Sequence, residues 1–302
     1  YMPPQRIHFF DEGKFQPWVW DLQQEFDENL RRTYVVDPEK KTRVLFLVAG
    51  EPYKLLGLIP ATVHLFQGEE GGPVCLLGTD RQGRDMFSRI LFGGQVSLTI
   101  GLLGVIMSLT IGAVLGIASG YYSGTVDNVI QRIIELIRSF PSIPLWMALS
   151  AAIPLAWSVM QTYFAITIIL SLIGWTWLAR QLRGQVLALR DHDYIMAAKL
   201  AGANDRWIIF RHLIPATMGQ IIVVSTLAMP AMILAETSLS YLGLGLRPPV
   251  TSWGVLIQES QNYQSLALYP WVFLPALVIA VCILAFSYLG DGLRDAVDPY
   301  SV

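Results

Sequence analysis

Residues 90–126 read ILFGGQVSLTIGLLGVIMSLTIGAVLGIASGYYSGTV, a run without one Asp, Glu, Lys or Arg. An α-helix needs about 20 apolar residues to cross a bilayer core. A charge at mid-bilayer costs roughly 3 kcal/mol. A helix in a large soluble core would show a charged face every few residues, so this run reads as a spanning helix. Residues 139–179, 212–235 and 260–290 are equally free of charge. The chain is 53% hydrophobic and 15% charged, against about 25% charged in ordinary globular domains. Five spanning helices are predicted, at roughly 94–119, 129–151, 161–180, 213–236 and 270–290. Gly112, Gly116 and Gly120 recur every four residues, which puts them on one face where another backbone can approach closely. Pro141 and Pro144 fall near the start of the second predicted helix and Pro230 inside the fourth, where neighbouring helices can satisfy the freed carbonyls. Trp175, Trp177, Tyr269 and Trp271 stand near predicted helix ends and fit interfacial aromatic belts.

Residues 1–90 follow other rules. They hold eleven of the twenty-one Lys and Arg, interleaved with acids. Arg43–Val48 is β-like, and Glu51-Pro52 and Gly71-Gly72-Pro73 punctuate turns. Leu55–Phe66 is apolar but too short to span. The expectation is a small mixed α/β domain outside the bilayer with its lead-in segment over residues 1–90, then an all-α polytopic membrane domain over 91–302. Asp80 and Asp85 are expected to hold the start of the first spanning helix.

Several classes of chemistry find no support. The net charge of −2 calls for no nucleic acid. His8, His64, His192 and His212 show no metal-ligand spacing, so no metal or cofactor is expected. No Ser/His/Asp, Cys/His or paired-carboxylate arrangement suggests a catalytic residue. Gly13-Lys14 is followed by Phe15 and lacks the upstream glycine of a phosphate loop. Cys75 lies in the polar part and Cys282 in an apolar run, so no disulfide between them is expected.

Orientation follows from the connections. Arg180, Arg183, Arg190, Lys199, Arg206 and Arg211 lie between or at the edges of the third and fourth predicted helices, whereas 152–160 has no basic residue and 237–269 only Arg247. The positive-inside rule then puts 181–212 in the cytoplasm. Alternation places the C-terminus inside and residues 1–90 outside, an arrangement that calls for a sixth helix upstream of Tyr1.

The cytoplasmic stretch 190–215 reads RDHDYIMAAKLAGANDRWIIFRHLIP. Asp191 or Asp193 can cap a helix through Met196, Ala197 and Ala198, and Gly202 can end it in the left-handed conformation. Asn204 or Asp205 can start a second helix, and Pro215 can open the next membrane segment. The outcome is a helix–turn–helix elbow whose small residues leave room for a partner. Glu236, at the end of the fourth predicted helix, reads either as a gate or substrate contact or as a cap of the outer loop.

These residues resemble the cytoplasmic loop motif of ABC importer permeases: Glu-Ala-Ala, three residues, Gly, then a Leu-Pro-like ending thirteen residues on. Ala197, Ala198, Gly202 and Pro215 match it. Met196 stands at the motif's Glu and Ile214 at its Leu. Gly78–Asp85 with Ser88, Arg89 and Gly93, then Glu236–Gly245, then Gly290 through Pro299, look like successive signatures of the dipeptide, oligopeptide and nickel importer subfamily. Residues 78–302 are covered in order; residues 1–77 look like an external insertion that some members carry.

The resemblance implies a type I importer fold and a permease subunit that is not itself an enzyme. It implies a second homologous permease, two cytoplasmic ATPases, an extracytoplasmic binding protein and membrane lipid as partners, in a bacterial inner membrane. It also implies that Met196, Ala197, Ala198, Gly202, Ala203, Asn204, Asp205 and Pro215 form a coupling helix docking on an ATPase. The implied cargo is a di- or oligopeptide. A nickel chelate or another small solute is the alternative, and an ATP-independent channel or secondary transporter is the rival from another class.

Overall fold

The computed structural model describes residues 1–28, 32–55 and 59–297; Asp298 and Pro299 of the C-terminal signature lie outside the described residues. The chain divides into two compact units, Tyr1–Val96 with Thr251–Val278, and Ser97–Val250 with Ile279–Val302.

The first unit carries a four-stranded antiparallel sheet in sequence order: β1 (His8–Asp11), β2 (Lys14–Phe26), β3 (Arg32–Leu55) and β4 (Ile59–Gly68). β3 is long enough to serve two neighbours. Its first part pairs with β2, up to Arg43 opposite Trp18, and its second with β4, from Val44 opposite Gly68. The Arg43–Val48 run is the point at which β3 passes from one partner to the other. The helix expected in this domain amounts to the 3-10 turn Glu69–Gly71, because Val, Thr, Tyr and Phe dominate the rest and favour a pleated surface.

The lead-in to the first long helix is a carboxylate-centred knot. Asp80 is fully buried. It accepts from the Gln82 and Arg84 amides at 2.7 and 2.9 Å, from Arg84 Nε at 2.7 Å, and from Arg89. Burial alone would raise its pKa, but the Arg84 bonds and the Arg89 charge outweigh that and hold the carboxyl below the usual range. Asp85 accepts from Ser88 N and Oγ, both at 2.7 Å, closing the first turn of α1 (Met86–Tyr122) as an N-cap does. The segment 251–278 belongs to the same unit. It carries α8 (Trp253–Gln258), from which Trp253 Nε1 donates to Ile90 O at 2.9 Å, and α9 (Tyr263–Leu268); beyond these, Trp271 Nε1 donates to Thr79 O at 3.0 Å.

Among the described residues four helices are long and apolar enough to cross a membrane: Met86–Tyr122, Val159–Leu189, Asp205–Tyr241 and Pro270–Ala296. The predicted helix at 129–151 is instead two, α2 (Gly124–Arg138) and α3 (Ser142–Ala151). The break falls at Pro141, which lacks the amide needed to continue the α2 ladder. α4 (Val159–Leu189) follows, then α5 (Asp193–Leu200) and α6 (Asp205–Ile208). One π turn (Ile209–Leu213) joins α6 to α7 (Ile214–Tyr241). The fourth predicted span therefore begins inside the elbow: the widened turn lies just ahead of Pro215, whose missing amide is absorbed at the start of α7. α10 (Leu274–Val297) ends the described chain.

The glycine spacing on α1 is used as expected. A Cβ on Gly112, Gly116 or Gly120 would meet the α4 carbonyl oxygens of Trp175, Ala179 and Arg183 at 2.9, 2.7 and 2.8 Å. The partners ascend together, so α1 and α4 run parallel, and residues 123–158 must return the chain from one end to the other through α2 and α3. α7 runs against α1, with Gly104 near Met232 and Tyr121 bonded to Asp205. Trp175 departs from the expected aromatic belt: it is 4% exposed and packs with Ile130, Ile134 and Ala179 in the middle of α4.

Candidate functional site

The elbow is built as the sequence suggests at its turn and differently at its start. Gly202 takes φ +83°. Ala203 N donates to Ala198 O and Gly202 N to Lys199 O, each at 3.0 Å, the bonds that close a helix C-terminus around a left-handed residue. Asn204 is the N-cap of α6, accepting from Trp207 N at 2.8 Å. At the head of α5 the capping position is His192, with no side-chain cap bond. Asp193 lies in the first turn, where a carboxylate favours the helix dipole, and Asp191 precedes it.

One apolar residue from each short helix anchors the elbow. Ile195 and Ile208 are fully buried against Ile117 and Tyr121 of α1, Leu178, Leu182 and Val186 of α4, and Leu213. His212 stands between the rings of Trp207 and Tyr194, at centroid distances of 4.9 and 5.6 Å. The opposite surface is open. Ala197, Gly202, Asn204 and Asp205 are exposed and Ala198 and Ala203 half-buried, while the large apolar side chains of Met196, Leu200 and Trp207 are 45%, 87% and 48% exposed. Ala198, Ala201, Gly202, Ala203, Asn204 and Trp207 rim a hollow of about 370 Å³. Pro215 is exposed at the start of α7.

Sequence reasoning missed the polar ties beneath the elbow. Tyr121 at the end of α1 donates to Asp205 Oδ1 at 2.8 Å, and Lys199 Nζ stands 5.3 Å from the centre of its ring. Behind it, Asp127 of α2 accepts from Arg183 Nε at 2.5 Å and Nη2 at 2.6 Å, and from Ser119 Oγ at 2.5 Å. The Arg183 bonds hold the Asp127 carboxyl below the usual carboxylate range. The charges of 180–211 pointed to the cytoplasm; that one of them locks α2 to α4 was invisible without the fold.

Glu236 is fully buried. Its carboxylate accepts from Ser97 Oγ at 3.0 Å and Ser240 Oγ at 2.8 Å, and Ser240 Oγ accepts in turn from Leu246 N at 3.0 Å. The residue thus braces the loop that follows α7 against α1. A separate cavity of about 1030 Å³ opens between α4, α7 and the α2–α3 break. At one end on α7 it is lined by Ala231, Met232 and Ala235. Gln181, Gln185 and Gln220 line the other end, with Arg138 and Arg294. Arg138 also stands 5.6 Å from the Trp177 ring centre. The described residues gather no group of three His, Cys, Asp or Glu able to hold a metal ion, and Cys75 and Cys282 are free.

Long apolar helices around a mixed cavity, with an exposed small-residue elbow at one end, define a multi-pass membrane transport component. The chain belongs to the family of binding-protein-dependent transport system inner membrane components, which matches residues 112–300; it is an ABC importer permease of the type I class. It is 38% identical over 223 residues to the oligopeptide transport system permease protein OppC of Bacillus subtilis (strain 168), covering 74% of this chain and 70% of that one. It is 37% identical over 276 residues to the dipeptide transport system permease protein DppC of Lactococcus lactis subsp. cremoris (strain MG1363), covering 91% and 78%. That second alignment is longer than the membrane domain alone. The fold is similar to a chain of an inward-facing crystal form of the MetNI methionine ABC transporter, with TM-score 0.52, 15% identity, and coverage of 72% of this chain and 99% of that one.

Proposed function

We propose that this chain is one of two permease subunits of an ATP-driven importer that moves di- or oligopeptides inward by alternating access. Two ATPases on separate subunits hydrolyse the ATP, one of them docking on the α5–α6 elbow, and an extracytoplasmic binding protein delivers the cargo on the side of residues 1–90. Residues 181–212 face the cytoplasm, as the five Lys and Arg there, with Arg180 at their edge, favour. Met196, Ala197, Ala198, Gly202, Ala203, Asn204 and Asp205 form the docking surface, and Pro215 marks where the elbow joins α7.

The observation that carries the reading is the elbow's two-sidedness. Ile195 and Ile208 bury it in the α1–α4 core, while Met196 and Leu200 are exposed and Trp207 rims an open hollow. Exposed apolar clusters rimmed by polar residues mark protein contacts, and a force applied there has a packed route into the membrane helices. The peptide cargo rests on the peptide-transport relatives.

The test is peptide-stimulated ATP hydrolysis and peptide uptake by the reconstituted complex with wild-type, Gly202→Ala and Gly202→Arg permease. A Cβ at Gly202 meets nothing within 4 Å, so both variants share the left-handed strain and only arginine obstructs the hollow. Stimulation and uptake collapse in Gly202→Arg and are largely kept in Gly202→Ala. If the wild type ignores peptide but responds to a nickel chelate or another solute, the cargo is wrong. If Gly202→Arg behaves as wild type, the elbow does not couple, and ATP-independent transport becomes the better reading.

A further inference from the structure

The cavity beside α4 has an amide end that nothing in the coupling scheme uses. Gln181 and Gln185 sit on successive turns of α4, four residues apart and so on one face. Gln220 faces them from α7 and donates its Nε2 to Gln181 Oε1 at 2.7 Å. This amide–amide bond ties one wall of the cavity to the other. A glutamine side chain offers two donors and two acceptor lone pairs, so each amide retains capacity for a further partner. Gln181 and Gln220 are half-buried and Gln185 is exposed, and all three line the cavity, so their amides stand on its wall within reach of a partner. The cavity volume, about 1030 Å³, is at the top of the range of about 300–1,000 Å³ usual for small-molecule sites.

We infer that Gln181, Gln185 and Gln220 read the main chain of the cargo, taking an extended peptide by its N–H and C=O groups and ignoring its side chains. The inference rests on the peptide-import reading above and deepens it. A primary amide and a peptide bond present the same donor and acceptor types. A peptide entering between α4 and α7 therefore replaces the Gln181–Gln220 bond with bonds of the same kind. Like-for-like exchange leaves a small net gain, which suits a site that cargo must leave as readily as it enters. The remaining α7 wall is Gly, Ala, Met, Val and Leu, which gives side chains room without a polar group to select among them.

The experiment measures uptake of trialanine and of its backbone N-methylated counterpart by proteoliposomes holding the whole complex. Both start from binding protein saturated with the peptide, and the ratio of the two rates is compared between permeases, so the binding protein's own preference cancels. N-methylation removes a main-chain donor. The wild type exceeds the Gln181→Met and Gln220→Met variants in this ratio by roughly three- to tenfold, the worth of one hydrogen bond. Methionine keeps side-chain length and apolar packing while deleting the amide; Gln181→Leu and Gln220→Leu serve if a methionine variant fails to assemble. Trialanine uptake with a ratio unchanged by these substitutions overturns the inference and leaves peptide import standing. A wild type that takes up neither peptide overturns both.

Discussion

Along one side of α4, the carbonyl oxygens of Trp175, Ala179 and Arg183 lie within 2.9 Å of where side chains on Gly112, Gly116 and Gly120 would begin. Along another, α4 and α7 share the lining of a cavity of about 1030 Å³ and are tied by the Gln181–Gln220 bond, while Ile214, Ile221 and Val224 of α7 pack on the core that holds Leu178 and Leu182 of α4. Glycine at every fourth position removes the spacer between α1 and α4 and leaves nothing to slide. On the other face side chains separate the two backbones, and a cavity and an exchangeable amide bond lie between the helices. The contrast argues that the α1–α4 seam stays shut, and that the α4–α7 side, where a cavity already lies, is where the subunit opens.

The contrast can be broken most severely at its closed side. Gly116→Leu drives a branched side chain into the Ala179 backbone. Overpacking costs about 1–3 kcal/mol where side chains can yield, and backbone yields less, so the variant should fail to accumulate or melt far below wild type. Gly184→Ala is the matched control: a Cβ there meets nothing within 4 Å, and alanine gains up to about 1 kcal/mol of helix propensity, so the melting temperature should hold or rise.

A smaller effect is expected where α2 is locked to α4. The Asp127 pKa is lowered by Arg183, and that of Asp80 by Arg84 and Arg89. For a depressed carboxyl the stability contribution is complete above the unfolded value, about 3.9, and is lost as pH falls through the folded value. Thermal stability should therefore be flat from neutral to mildly acidic pH and then decline. Arg183→Gln should lower the neutral plateau and flatten the acid decline, without abolishing it because Asp80 remains. An unchanged acid limb would mean that Asp127 does not sense Arg183.

The smallest effect belongs to the tie between elbow and α1. Tyr121→Phe removes the bond to Asp205, roughly 1 kcal/mol for a hydrogen bond to an exposed carboxylate. It should reduce peptide-stimulated hydrolysis a few-fold, less than Gly202→Arg. A wild-type response would assign the transmission to Ile195 and Ile208 alone.

What could be read in advance followed locality. The Gly112–Gly120 stripe, the left-handed Gly202 and the Asn204 cap are decided within a few residues and appear in the structure as the sequence predicts. Trp175 looked interfacial because it stood near an apparent helix end, but α4 continues to Leu189, which puts that tryptophan in mid-helix. The break at Pro141 and the π turn before Pro215 depend on how a missing amide is accommodated, and a proline alone does not say whether a helix stops, kinks or widens. Tyr121, Gln181 and Gln220 gave no signal at all. None stands in a local pattern that names its role, and each takes its meaning from a partner 39 to 84 residues away.

The central claim is that one seam of the subunit stays shut while another opens. It is tested most directly by spin-label distances in the reconstituted complex, in a background lacking Cys75 and Cys282. Gly184→Cys with Met218→Cys reports on α4 against α7, and Gly184→Cys with Tyr122→Cys on α4 against α1. Between the nucleotide-free and ATP-bound states the first distance should shift and the second should not. A shift across the α1–α4 pair, or none across the α4–α7 pair, would contradict the account.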